Sequence, residues 1–123
     1  MMALKRPRRV LLVDDNVDVV EALSSGLLKR GYRVSSFRDP EVALKEFEPG
    51  NYDVAVLDVR MEPMGGLELC RRLREIDSEL SICFLTAYAD SVSDWPERSQ
   101  HLQKPITLDS LTEALEDIES PEQ

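Results

Sequence analysis

A regular alternation between short apolar runs and longer stretches of helical periodicity constrains the fold of this chain more than any other feature. The runs predicted to be strands are 10–13, 32–37, 54–57, 82–85 and 101–103. Strands separated by helices cannot pair as hairpins, so they form a parallel sheet with right-handed crossovers and helices on both faces. The sequence therefore predicts an α/β fold, a doubly wound five-stranded parallel sheet with the more polar run 32–37 at an edge.

Capping residues mark the ends of the predicted helices. Gly31 ends the first helix, because glycine readily adopts the backbone conformation that closes a helix. Asp39 and Pro40 supply an N-cap and a first helical residue for the second helix, and Thr107 caps the last one.

The stretch 87–100 fits this alternation poorly. Pro96 and the scattered polar residues around it allow at most a stub of helix. Trp95 in the same stretch is predicted either to cover the core or to form an exposed anchor for a partner.

Composition excludes several classes of function. The net charge of −9 repels nucleic-acid backbones and anionic lipids, and the first apolar run is too short for a signal peptide or a membrane span. We therefore expect a cytoplasmic protein that binds neither nucleic acid nor membrane. Its two cysteines, Cys70 and Cys83, are expected to be reduced core thiols. Residues 1–123 are predicted to form one domain, with a core at about 9–118 and a tail or linker at 119–123.

Polar residues stand where four of the predicted strands end. These residues are Asp14 and Asp15 after the first strand, Asp58 after the third, Thr86 after the fourth and Lys104 after the fifth. Ligands of doubly wound sheets bind beyond the carboxyl ends of the strands, so the five side chains are expected to converge. A single aspartate after a strand is often only a helix cap, but three of them together need compensating positive charge.

This combination predicts a Mg²⁺ site that promotes phosphoryl transfer. Mg²⁺ prefers carboxylates and water, and with the lysine it would neutralise a phosphoryl group arriving at a carboxylate oxygen. Asp58 is the predicted nucleophile because it stands alone, whereas the adjacent Asp14 and Asp15 are better placed to hold the metal. The Thr86 hydroxyl is expected to donate to a phosphoryl oxygen.

At four motifs the sequence resembles the receiver domains of two-component response regulators, from about residue 9 to residue 118. The motifs are Val13-Asp14-Asp15-Asn16, Leu57-Asp58-Val59-Arg60-Met61, Leu85-Thr86-Ala87-Tyr88 and Gln103-Lys104-Pro105. The resemblance implies a flavodoxin-like strand order of 2-1-3-4-5 and phosphorylation of Asp58 by a histidine kinase. It further implies Mg²⁺ bound by Asp15, Asp58 and the Arg60 carbonyl, with Asp14 acting through water. Lys104 would pair with the phosphoryl group, and the Lys104-Pro105 peptide would be cis.

The resemblance also implies a conformational switch. On phosphorylation the Thr86 hydroxyl would move toward the phosphate, and the side chain three residues before Lys104 would turn inward. That residue is His101, where the family usually has tyrosine or phenylalanine, and a histidine would make the switch sensitive to pH near neutrality. The alternative is a half-buried strand residue without this role. Tyr88 and Arg60 would tune the loss of the phosphoryl group.

Two departures from the family pattern concern the rim of the site and the partner surface. Glu62 occupies a position where the family favours proline, and Pro63 follows one residue later. The stretch between Thr86 and Lys104 is about one helical turn shorter than usual, so the family's fourth helix is predicted to be shortened or replaced by a loop.

Three functions are compatible with these residues. The leading hypothesis is a phosphoacceptor signalling module, which is not an enzyme acting on an external substrate. Its partners would be a histidine kinase or phosphotransfer protein and an unidentified output partner or effector domain. The second is a phosphatase of the haloacid-dehalogenase type. That family attacks with an aspartate after the first strand, here Asp14, and needs another acid two residues later, where this chain has Asn16. A receiver fold that serves only as an interaction surface is the third.

Overall fold

The computed structural model describes residues 8–87 and 92–119, which contain five strands and four helices. The strands are β1 (Arg9–Val13), β2 (Arg33–Phe37), β3 (Val54–Asp58), β4 (Ser81–Thr86) and β5 (Ser99–Gln103). The helices are α1 (Val17–Lys29), α2 (Pro40–Glu46), α3 (Gly66–Ile76) and α4 (Leu108–Glu119). The predicted alternation is thus confirmed, with strand ends shifted by one or two residues.

All five strands are parallel and lie in the order β2-β1-β3-β4-β5. This confirms the expected strand order and the placement of β2 at an edge. Because β1 and β3 are neighbours at the centre of the sheet, the residues at their carboxyl ends lie side by side at one edge.

The core consists of two apolar layers, one on each face of the sheet. Alternate strand residues point to opposite faces, so Leu11, Leu57 and Phe84 pack with α2 and α3 while their neighbours pack with α1 and α4. The central strands are almost entirely buried, which explains their continuous apolar sequence. Cys70 and Cys83 are buried free thiols in these layers, as predicted.

The predicted helix caps are present. Asp39 accepts a hydrogen bond at Oδ1 from the Glu41 amide (2.8 Å) and is followed by Pro40, and the Thr107 hydroxyl accepts one from the Ser110 amide (3.0 Å). No helix among the described residues combines the length and the apolar character that crossing a bilayer requires.

The connection between β4 and β5 contains no helix in its described part, Ala87 and residues 92–98. Trp95 packs against the core layer of α2 and α3, with its ring centroid 5.1 Å from that of Phe84. Its predicted role in covering the core is therefore confirmed. The described residues 92–98 form a loop, which agrees with the prediction that the family's fourth helix is shortened or replaced. Tyr88, predicted to flank the site, lies outside the described residues.

Candidate functional site

The structure brings the predicted acids and the lysine together at the carboxyl edge of the sheet. Asp14 follows β1, Asp58 ends β3 and Lys104 follows β5. The Lys104 ammonium nitrogen lies 3.1 Å from Asp14 Oδ2 and 3.4 Å from Asp58 Oδ1. Asp14 and Asp58 are both buried, so their attraction to the ammonium is only partly screened by water.

Asp15 completes a three-carboxylate cluster with Asp14 and Asp58. One carboxylate oxygen of each residue lies within 4.8 Å of the others, and Asp15 is the exposed member. Asp14 Oδ2 is buried and, despite its ionic contact with Lys104, receives no aligned hydrogen bond from the described residues. Among the described residues, the ion pairs of Asp14 and Asp58 are with the single ammonium of Lys104, which balances one of the three carboxylates. The hard oxygen donors of the cluster fit a divalent cation such as Mg²⁺.

The environment of the cluster raises the pKa of both its acid Asp58 and its base Lys104. Burial, together with the charge of Asp14, raises the pKa of Asp58 to about 6, although Lys104 opposes the rise. Burial alone would lower the pKa of Lys104, but its close contacts with the charged Asp14 and Asp58 carboxylates raise it above its ordinary value. Lys104 therefore remains a cation. Keeping Asp58 as a carboxylate in this buried position lowers the free energy of unfolding.

Asn16 fixes the start of this site through two sets of contacts. Its backbone amide donates to Asp14 Oδ1 (2.9 Å), and its side-chain oxygen caps α1 by accepting from the amides of Asp18 and Val19. The Asp14 carboxylate is thereby held by the same turn that begins the helix. The sequence motif contains Asn16, but sequence reasoning did not assign it this role.

Gly66 is a second residue whose importance the sequence reasoning missed. A Cβ atom at this position would lie 2.2 Å from the carbonyl oxygen of Asp58. The Gly66 amide also donates to the Val59 carbonyl at 2.9 Å, so α3 begins directly against the end of β3. The adjacent Gly65-Gly66 pair at the start of a helix was the available signal for this close approach.

Thr86 lies at the same sheet edge, but its hydroxyl is directed to the neighbouring strand. It donates to the Leu102 carbonyl at a long 3.4 Å, and the Thr86 carbonyl accepts from the Lys104 amide at 2.7 Å. The Lys104-Pro105 peptide is cis, as the resemblance implied, and the Glu62-Pro63 peptide in the altered rim is cis as well.

His101 and Arg60 are not members of the acid cluster. The His101 ring stacks on Trp95 with centroids 4.4 Å apart and planes inclined by 10°. The residue is exposed, so the expectation of a half-buried histidine is wrong: the register of β5 aligns His101 with Phe84, and Trp95 shields only one side of its ring. Arg60 is exposed two residues after Asp58.

Comparison with known proteins gives a consistent family match. Residues 10–116 match the family model described as "Response regulator receiver domain". The response regulator receiver protein CpdR of Brucella abortus is 34% identical over 113 residues, which cover 89% of this chain and 94% of that protein. The response regulator MprA of Mycolicibacterium vanbaalenii is 39% identical over 110 residues, but the match covers only 47% of its length.

A solved structure shares the same fold at comparable identity. The response regulator TrrA of Thermotoga maritima, in complex with Mg²⁺ and BeF, is 32% identical with a TM-score of 0.79, covering 90% of this chain and 98% of that one. A second structure shows TrrA with the histidine kinase ThkA, again with a TM-score of 0.79 and at 33% identity, covering 92% of this chain and 99% of that one.

Proposed function

This chain belongs to the response regulator receiver family, the phosphoacceptor modules of two-component signalling, and on that premise we propose that Asp58 is its phosphoacceptor. The module is a signalling switch rather than a classical enzyme. One observation carries the assignment: Asp58 is the buried acid that ends the central strand β3, and its Oδ1 lies 3.4 Å from the Lys104 ammonium.

The proposed reaction moves a phosphoryl group from a phosphohistidine to Asp58. An Asp58 carboxylate oxygen attacks phosphorus in line, an O–P bond forms as the P–N bond breaks, and the released imidazole nitrogen takes up a proton. The Lys104 ammonium stands beside the attacking Asp58 carboxylate, where it pairs with the negatively charged oxygens of the arriving phosphoryl group. Thr86 ends the adjacent strand β4. Its hydroxyl rotates away from the Leu102 carbonyl and toward the phosphoryl group.

We further propose that the cluster holds Mg²⁺, with Asp15, Asp58 and the Arg60 carbonyl as ligands and Asp14 acting through water. The buried, poorly hydrogen-bonded Asp14 Oδ2 and the three converging carboxylates support this. When bound, the metal supplies positive charge for the phosphoryl oxygens. The TrrA structure that contains Mg²⁺ and BeF gives the precedent in a relative.

The proposed phosphodonor is a histidine kinase or a phosphotransfer protein in the cytoplasm. The structure of the relative TrrA with the kinase ThkA supports this class of partner.

We propose a single receiver domain with its core at about 9–118. The chain spans 94% of CpdR but about half of MprA, so its output is assigned to a partner or effector domain of unknown identity. His101 is the proposed second member of the switch, moving with Thr86.

Incubation with Mg²⁺ and acetyl phosphate tests the proposal by intact-mass measurement. We expect the mass of one phosphoryl group to be added to the wild-type chain, and none to Asp58→Asn. Asp53→Asn is the control, because Asp53 pairs with Arg9 and lies outside the acid cluster. A folded wild-type chain that gains no mass would indicate a receiver used only for interaction. Continuous phosphate release from simple esters would indicate a phosphatase instead.

A further inference from the structure

Residues 92–98 form a loop in the connection between β4 and β5, and the guanidinium group of Arg74 ties this loop to α3. Arg74 of α3 donates to three backbone carbonyls, those of Leu80 (3.0 Å), Glu97 (2.6 Å) and Arg98 (2.9 Å). Two of these carbonyls belong to the loop, so α3 holds the loop directly. A planar guanidinium can make several such bonds at once, which a lysine ammonium cannot match in geometry.

Arg98 ties the end of the same loop in a second way. Its Nη2 donates to the Ser78 carbonyl at 2.6 Å, and its backbone has a φ of 52°, which is unusual for a residue with a side chain. The loop therefore enters β5 in a defined conformation. Trp95, three residues earlier, is carried by this anchored segment.

Trp95 covers the one side chain of β5 that the proposed switch must move. Phe84 and Thr86 lie on one face of β4 because alternate strand residues share a face, and His101 is aligned with Phe84 in the sheet register. The Trp95 ring contacts both neighbours, at 5.1 Å from the Phe84 centroid and 4.4 Å from the His101 centroid. An inward turn of His101 toward Thr86 requires the stack with Trp95 to separate.

We propose that Trp95 is a latch that holds His101 outward in the unmodified receiver, and that Arg74 is the positioning residue that keeps this latch in place. Phosphorylation of Asp58 opens the latch, so the loop 92–98 becomes the part of the molecule that reports the signal. This inference rests on the proposed function of Asp58. An aromatic stack of this kind shifts a two-state equilibrium by about two- to ten-fold.

Binding of beryllofluoride in the presence of Mg²⁺, measured by calorimetry, tests the latch. Trp95→Ala and Arg74→Gln should tighten the apparent affinity by about two- to ten-fold, because opening no longer costs the stack. Trp95→Phe, which retains an aromatic ring, should remain close to wild type. Arg72→Gln is the matched control on α3, because the Arg72 guanidinium pairs with Glu68 on the exposed side of the helix.

Fluorescence gives a second readout that requires no variant, because Trp95 is the only tryptophan of the chain. Acrylamide should quench Trp95 more strongly after beryllofluoride binding in wild type, and already without it in Arg74→Gln. The latch is overturned if quenching of Trp95 changes neither on beryllofluoride binding to wild type nor in Arg74→Gln. It is also overturned if folded Trp95→Ala and Arg74→Gln chains bind beryllofluoride with the wild-type affinity. A wild-type chain that binds beryllofluoride while failing these tests retains its proposed function. A wild-type chain that does not bind it loses both.

Discussion

The charged form of Asp58, which is the nucleophile, lowers the free energy of unfolding of the chain. Burial and the nearby Asp14 charge raise its pKa to about 6, so the folded chain holds a proton on this group more tightly than the unfolded chain does. The free energy of unfolding therefore falls as pH rises between the ordinary aspartate pKa and about 6, and the full cost is present above that range.

Replacement of Asp58 by asparagine should remove this cost. We expect Asp58→Asn to raise the free energy of unfolding by about 1–3 kcal/mol at pH 8, with the difference disappearing below about pH 4. Urea denaturation at a series of pH values measures it. Asp117→Asn, which makes the same change at an exposed position of α4, is the control. An Asp58→Asn chain less stable than wild type at pH 8 would contradict the assigned electrostatics.

Sequence reasoning succeeded for the acids and failed for side-chain orientation, for a physical reason. Asp14 and Asp58 end apolar runs, and a parallel sheet forces such ends to one edge, so their convergence follows from pattern alone. The Thr86 hydroxyl and the His101 ring each have several allowed rotamers. Their partners, Leu102 and Trp95, are set by tertiary contacts that periodicity does not encode.

At the scale of elements, the contact between the end of β3 and the start of α3 determines how accurately Asp58 is placed. Gly66→Ala would put a methyl group 2.2 Å from the Asp58 carbonyl oxygen, so the helix start or the strand end must move. We expect a loss of stability of about 2–4 kcal/mol and slower phosphorylation by acetyl phosphate. Thermal unfolding and intact-mass time courses measure the two effects.

Gly65→Ala is the matched control for this change. A Cβ at Gly65 would lie 3.0 Å from the Val59 carbonyl oxygen, a much smaller overlap than the one at Gly66. Its effects should accordingly be weaker. Equal stability and equal phosphorylation rates in the two variants would show that close approach at Gly66 does not position Asp58.

Strand β5 and the loop 92–98 show where the pattern of apolar residues is insufficient to predict an element. The runs 10–13 and 54–57 were recognised nearly to their ends because both faces of these strands are buried. β5 begins at Ser99, two residues before the predicted start, because backbone pairing with β4 continues through polar residues. The loop 92–98 lacks periodicity since its order comes from Arg74 and Trp95 rather than from a helical face.

At the scale of the whole molecule, the acid cluster links metal binding to folding. A cation that binds the folded cluster and not the unfolded chain stabilises the fold by mass action. At Mg²⁺ ten times its dissociation constant, we expect a gain of about 1.4 kcal/mol, which raises the melting temperature by about 5 °C. EDTA should reverse this shift, and Asp15→Asn should reduce it. An equal shift in Asp58→Asn and wild type would place the cation elsewhere.

Locating the phosphoryl group on the chain tests the central claim most directly. After incubation with Mg²⁺ and acetyl phosphate, borohydride reduction converts an aspartyl phosphate to homoserine, which peptide mass spectrometry assigns to a position. The account predicts homoserine at position 58 and nowhere else, and none when EDTA replaces Mg²⁺. Homoserine at another aspartate, or at position 58 without a divalent cation, would contradict it.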